Sequence, residues 1–220
     1  DSQGQPLKIL EKVAQDYPVA LHGVSLSIGS PDPLNETYLK KLKILVDRIQ
    51  PKIVSDHLCW TGSNGQNLHD LLPLPFTFEN IKQLSNKLET VQSVLKRAIL
   101  LENVSSYITF KHSEMTEWEF ITEVAKKSGC KVLLDLNNVF VSSVNHGFDA
   151  FEYVNKIPKN IVGQIHLAGF TDMGDYLFDT HSKPFYPKVW VLYMSLVTQA
   201  SDIPVIVEWD EDIPEFFLLA

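Results

Sequence analysis

Short apolar runs alternate with longer stretches of helical spacing from one end of the chain to the other. Residues 18–21, 52–55, 98–101, 131–134, 161–165 and 203–207 are rich in Val, Ile and Leu without strict polar alternation, the pattern of parallel strands covered on both faces. Between them, Leu39, Leu42, Leu45, Val46 and Ile49 form one helical stripe, and Ile81, Leu84, Leu88, Val91 and Leu95 form another. Thr116 with Glu119 has capping-box spacing, Asp149 with Glu152 gives a further helix start, and Pro187 opens a stripe of Trp190, Tyr193, Leu196, Val197 and Ala200. Helix and strand therefore alternate throughout, which implies right-handed crossovers and an α/β fold with a parallel sheet, either open or closed into a barrel. No G-x-G-x-x-G follows a strand, which weakens the open nucleotide-binding option. Two connections, 59–76 and 168–185, are far longer than the usual few residues and are read as loops covering a site on the carboxyl face.

Composition narrows the function classes. With 220 residues, 45% hydrophobic and no linker, the chain supports a single domain over 1–220. Twenty-seven Asp and Glu against 19 Lys and Arg leave a net charge of -8, so no summed field exists to hold a nucleic acid. No apolar run approaches the roughly 18 residues of a spanning helix, and residues 1–6 lack a secretory signal, so a cytoplasmic protein without membrane contact is expected. Cys59 and Cys130 have no partner at metal-binding spacing and read as ordinary buried residues.

The carboxyl ends of the six candidate strands carry the chemistry. In order they present His22, His57, Glu102, Asp135, His166 and Glu208, each of a metal-ligating type. Parallel architecture places all six on one face, with neighbouring strands about 4.8 Å apart. A single His or Glu there has an ordinary explanation as a satisfied core residue or a cap, but six together do not. Carboxylates gathered at low dielectric repel, and bound cations relieve the repulsion, so more than one metal ion is expected. Asp179 and His181 in the second long connection, and Asn138 three residues after Asp135, complete a set of nine nitrogen and oxygen donors with no thiolate. Such a set suits iron, zinc or manganese.

The segments Leu21-His22-Gly23-Val24, Ser55-Asp56-His57-Leu58, Leu101-Glu102-Asn103, Asp135-Leu136-Asn137-Asn138-Val139, Asn145-His146-Gly147-Phe148-Asp149, Gln164-Ile165-His166-Leu167-Ala168-Gly169, Asp179-Thr180-His181 and Val207-Glu208-Trp209 resemble, in order and over nearly the whole chain, those of the DUF692 family. These are the multinuclear non-haem iron-dependent oxidative enzymes, which include the methanobactin-biosynthesis oxidase. The resemblance implies a xylose-isomerase-like TIM (β/α)8 barrel with two or three irons at its carboxyl face. It implies oxidation by dioxygen of residues, typically cysteines, in a ribosomally made precursor peptide, aided by a separate peptide-presenting protein. The ligand roles fall on His22, His57, Glu102, Asp135, Asn138, His166, Asp179, His181 and Glu208, with His57, Glu102 and Asp135 also assigned as catalytic and Glu102 bridging. Asp56, Asn103 and His146 are assigned to orienting those ligands. The family barrel opens with two strands more than are counted here, so the chain is expected to be an N-terminally incomplete barrel.

Three rivals share parts of this pattern. An endonuclease IV-like phosphodiesterase has a similar ligand order but a His where Asn138 stands, and the acidic chain lacks a DNA-binding surface. A sugar isomerase expects a Lys beside the metals, which no strand end supplies. A metal-binding scaffold would hold the same cluster without an open coordination position. The aromatics Trp60, Phe170, Tyr176, Phe178, Phe185 and Trp209 are candidates for gripping a peptide at the mouth.

Overall fold

A computed structural model describes residues 4–198 and 202–219. Six strands, β1 (Ala20–Gly23), β2 (Ile53–His57), β5 (Leu100–Glu102), β6 (Lys131–Asp135), β7 (Val162–Leu167) and β10 (Val205–Val207), form one all-parallel sheet in the order β1-β2-β5-β6-β7-β10. Each strand thus lies beside its neighbour in the sequence of crossovers, the winding of a (β/α) barrel wall. The interior strands β2, β5, β6 and β7 are buried nearly end to end, as their apolar runs require. β10 differs from expectation: Val205, Ile206 and Val207 are all exposed, because β10 is a sheet edge that pairs only with β7 among the described residues.

Helix α1 (Gln5–Asp16) precedes β1, helices α2 (Glu36–Ile49), α3 (Phe78–Leu95), α4 (Glu117–Ser128), α5 (Leu136–His146), α6 (Ala150–Lys156) and α7 (Pro187–Val197) fill the connections, and α8 (Phe216–Leu219) follows β10. The α3 stripe is buried at all five expected positions, and each Leu- or Val-sized side chain so buried contributes roughly 1.5–3 kcal/mol. Asn35 and Thr77 cap α2 and α3 by accepting the backbone N–H of Tyr38 and Asn80, and Thr116 with Glu119 makes the expected capping box on α4. In α7 the inward stripe is Val189, Leu192 and Leu196; Leu196 is buried as expected, Tyr193 is partly buried against the core, Trp190 is exposed with Val189 buried in its stead, and Ala200 lies outside the described residues.

Two features escaped the sequence reading. The connection 59–76 is largely a hairpin, β3 (Trp60–Ser63) with β4 (Gln66–Leu72), turned by Asn64 and Gly65 at φ 52° and 74°. Asn-Gly is the favoured pair for such a turn, because both residues must take positive φ. The connection 168–185 holds a shorter hairpin, β8 (Thr171–Asp172) with β9 (Leu177–Phe178). Helix α5 also went unread, since it starts directly from the last residue of β6 and is buried on most sides, leaving no amphipathic stripe. No helix among the described residues is long and apolar enough to cross a membrane.

Candidate metal centre

Strand register assembles the site. His57 pairs with Glu102 across β2 and β5, and Asp135 pairs with His166 across β6 and β7, so strand ends bring those side chains together. The strands run slightly further than their apolar runs suggested: His22, His57, Glu102, Asp135 and His166 lie within them, and Glu208 follows β10 directly. His22 Nε2 stands 3.0 Å from Glu102 Oε2 and 3.3 Å from His57 Nε2. His57 Nε2 is 3.4 Å from the same Glu102 oxygen, whose partner Oε1 is 3.8 Å from His166 Nδ1. His166 Nδ1 in turn lies 3.1 Å from Glu208 Oε1, and Glu208 Oε2 lies 3.4 Å from His181 Nδ1. His181 Nε2 meets Asp179 Oδ1 at 2.9 Å.

The supporting contacts fix the free lone pairs. His57 Nδ1 bonds to the Gly23 carbonyl at 3.0 Å, which makes it the protonated nitrogen and leaves Nε2 as an acceptor facing Glu102. His22 Nδ1 bonds to Ser55 Oγ at 2.8 Å, and with the Ser55 hydroxyl turned to the Leu21 carbonyl at 3.5 Å that oxygen accepts the Nδ1 proton, to the same effect. Two bare nitrogens and a carboxylate therefore converge, an arrangement that only a proton or a cation relieves. Ligands each about 2.1 Å from one ion stand roughly 3.0–3.4 Å apart, and the 3.3 Å between His22 and His57 falls in that interval. Asp135 caps α5 by accepting the Asn138 N–H on Oδ1 at 2.6 Å, while Asn138 Nδ2 donates to the Asn103 carbonyl at 3.0 Å. Asp179 is held by Ser105 Oγ and Asn137 Nδ2 at 3.0 and 2.7 Å, and its backbone N–H donates to the Tyr107 hydroxyl. His181 sits at φ 49°, in the left-handed region that His enters more readily than most side chains, with its N–H bonded to the Gly169 carbonyl.

A demanding residue of unmet bonding remains. Glu102 Oε2, Asp135 Oδ2, Asn138 Oδ1, His166 Nδ1 and Nε2, and His181 Nε2 are buried without a hydrogen bond. Native interiors pair such atoms almost without exception. Three groups of donor atoms could each hold a metal ion: His22, His57 and Glu102; Glu102, Asp135 and His166; and Asp135, His181 and Glu208. Glu102 and Asp135 are each shared by two groups. The donors are imidazole and carboxylate, with the Asn138 amide oxygen beside them and no thiolate, and they fit several hard or borderline divalent ions. His22, His57, Glu102, Asn138, Asp179, His181 and Glu208 line a cleft of ≈ 320 Å³ with Val24, Leu71 and Val104 on its apolar sides.

Electrostatics follow the same outline. Burial pushes Glu102 up to about 8 and Asp135 well above the ordinary carboxylate range, the latter helped by the charge of Glu102. Burial, with the neighbouring His22, holds His57 down to about 4. Burial also opposes a charge on His181, but the Asp179 carboxylate 2.9 Å from its Nε2, with the charges of Asp135 and Glu208, prevails and pushes it up to about 10. Without bound cations the cluster therefore holds protons that an ordinary carboxylate would have released.

The three residues assigned to orienting ligands divide. Asn103 brackets the end of β6, accepting the Asp135 N–H at 2.9 Å and donating to the Asp135 carbonyl at 3.0 Å. Asp56 holds backbone instead of a ring: it accepts the N–H of Leu26 and His57 and the Tyr38 hydroxyl, because alternate strand residues face opposite ways and Ser55 shares the face of His57. His146 is not brought to the cluster; its ring bonds to Ser106 at 2.7 Å at the end of α5. Ser55, Ser105, Asn137 and Asp210, 3.2 Å from His181 Nδ1, were missed. Strand alternation could have found Ser55; nothing local marks the others. Of the aromatics, Tyr176 and Phe178 are exposed and pack with Tyr107, whereas Phe170 is buried between Phe140 and Tyr186.

The comparisons agree with this architecture. The chain resembles solved structures of L-ribulose 3-epimerase (TM-score 0.63, 13% identity, 99% of this chain and 71% of that one) and of the E. coli 3-keto-D-glucoside 4-epimerase YcjR (TM-score 0.59, 12% identity, 97% and 83%). A xylose isomerase domain containing protein from Salmonella typhimurium aligns with TM-score 0.57 at 14% identity, over 92% of this chain and 71% of that one. At these identities the likeness is one of fold, the xylose-isomerase-like barrel. A UPF0276 protein of Anaeromyxobacter sp. (strain Fw109-5) is 52% identical over 211 residues, covering 96% of this chain and 75% of the relative. One from Acaryochloris marina (strain MBIC 11017) is 46% identical over 216 residues, covering 98% and 78%. The family model described as RiPP precursor modification enzyme MbnB/TglH/ChrH matches residues 1–220, and the chain belongs to that family.

Proposed function

We propose that this protein is a multinuclear non-haem iron enzyme that uses dioxygen to oxidise residues, cysteine foremost, of a ribosomally made precursor peptide, with a second protein presenting the peptide. The observation that carries this reading is the run of three adjoining nitrogen-and-oxygen donor groups joined through Glu102 and Asp135. Two shared carboxylates are what neighbouring cations need to sit close without repelling one another. His22, His57, Glu102, Asp135, Asn138, His166, Asp179, His181 and Glu208 would hold the ions. Bound iron of this ligand set would supply one-electron chemistry with dioxygen and acidify a coordinated thiol.

The chain's own groups do the positioning. Gly23 and Ser55 hold the outer nitrogens of His57 and His22, keeping both rings aimed inward. Ser105 and Asn137 anchor Asp179 across three segments of chain. Asp210, largely exposed, lies against His181 Nδ1 at the rim and offers that ring nitrogen a proton acceptor in contact with water. Val24, Leu71 and Val104 keep part of the cleft apolar.

Elemental analysis of anaerobically purified protein, paired with Mössbauer spectroscopy of the iron-57-enriched sample and oxygen uptake with a cysteine-containing precursor, tests the reading. Two or three irons per chain with peptide-dependent uptake are expected. Stoichiometric zinc with little iron would point to a hydrolase, and full iron without uptake would point to a scaffold; either overturns the proposal.

A further inference from the structure

The segment Asn145 to Asp149 is not used by the metal-ligand cluster, yet it is tightly organised. Asn145 bonds to the backbone of Ser106 and Leu177, His146 bonds to Ser106, Gly147 ends α5 at φ 75°, and Asp149 caps α6. Together with the chain around α4 it walls a second cavity, of ≈ 230 Å³, whose apolar faces include Phe76, Met115, Trp118, Phe148 and Tyr153. The rings of Trp118, Phe148 and Tyr153 touch one another, with centroids 5.5 to 6.1 Å apart.

Two polar groups in this apolar wall lack partners. Tyr153 is fully buried and its hydroxyl makes no hydrogen bond. A buried tyrosine hydroxyl ordinarily finds a partner. Glu117, the first residue of α4, lines the same cavity partly buried, and pairs with no Lys or Arg among the described residues. Burial alone pushes its carboxyl up to about 8. Its charge reaches Tyr153, raising that hydroxyl further, yet no bond joins them. Aromatic faces beside a buried carboxyl without a counter-charge favour an organic cation, whose arrival would let Glu117 ionise, and a cavity of this size exceeds what one bridging water, at about 30 Å³, would fill.

The position says whose cation it is. Ser105 lines the metal-ligand cleft, and the next residue, Ser106, lines the second cavity. Consecutive residues of one segment thus face the two spaces. We propose that the second cavity is a side-chain subsite for the precursor peptide, taking a lysine or arginine whose apolar stem lies against Trp118 and Phe148 and whose cationic tip meets Glu117 and the Tyr153 hydroxyl. This assignment rests on the peptide-substrate reading above.

The test is calorimetric titration of the metal-loaded full chain with acetyl-Gly-Cys-Gly-Lys-Gly-amide and with its norleucine twin, alongside n-butylguanidinium as a free probe. The lysine peptide should bind at least tenfold more tightly than the twin, n-butylguanidinium should bind saturably, and E117Q should abolish both preferences while metal content and Tm hold. Y153F, which removes only the hydroxyl, should weaken the lysine peptide severalfold. Equal binding of the twin, an unchanged E117Q, or no saturable binding of n-butylguanidinium would overturn the subsite. Because binding is read without turnover, an intact preference in a protein that never consumes oxygen would refute the oxidase chemistry and leave the subsite standing.

Discussion

Replacing Glu102 by Gln should change stability in opposite directions with and without metal. The carboxyl is 1% exposed, with His22, His57 and His166 all within 3.8 Å. In the metal-free fold burial pushes it from 4.5 to about 8. A raised carboxyl pKa means that the folded state holds the proton more firmly than the unfolded chain, so the metal-free fold loses stability as pH rises from the unfolded value through the folded one. At about 1.4 kcal/mol per pH unit that loss is several kcal/mol above pH 8. Gln has nothing to ionise, so metal-free E102Q should melt higher than metal-free wild type at pH 8.5, by roughly 2–4 °C for each kcal/mol relieved, and the two should converge near pH 4.5. With saturating iron(II) the order should invert, because wild type gains about 4 kcal/mol from an ion present at a thousand times its Kd, and E102Q loses a donor from two of the three groups. Differential scanning calorimetry at both pH values, with and without metal under argon, reads all of this. If E102Q melts lower than wild type in every condition, Glu102 is a structural residue and the bridging role is wrong.

Other positions separate metal binding from folding. Ser55→Ala removes the bond to His22 Nδ1, and should weaken iron(II) at the group of His22, His57 and Glu102 by about 10- to 100-fold with little change in metal-free Tm; an unaltered chelator competition would count against it. Gly169→Ala would place a Cβ 2.1 Å from the Lys183 carbonyl oxygen, so the backbone carrying His181 must move. A loss on the order of 3 kcal/mol and departure of the ion nearest His181 are expected by calorimetry and metal analysis, and a wild-type metal count would refute the link. Leu88→Ala, fully buried in α3, should lower stability by about 2–5 kcal/mol while folded protein keeps its full metal content, and metal loss there would show that the site depends on global packing instead of strand register.

The chain's pattern by itself settled the alternation of helix and strand, because buried parallel strands and amphipathic helices carry periodicities that local sequence records. It also brought the strand-end donor residues to one face, since parallel strands share their direction. Helix α5 and the exposure of β10 were not legible, as the first is buried on most sides and the second is set by which strands stand beside it. The turn at Asn64-Gly65 is written locally, since Asn-Gly favours positive φ at both positions. Tertiary structure alone decided which neighbour holds which ligand. Ser105 and Asn137 reach Asp179 from 74 and 42 residues away, Asp56 turned to backbone where a ring was expected, and His146 moved to another cavity. Local periodicity says which face a side chain leaves from, but the hydrogen bonds that fix its lone pairs depend on segments distant in sequence, and those meet only when the chain is packed.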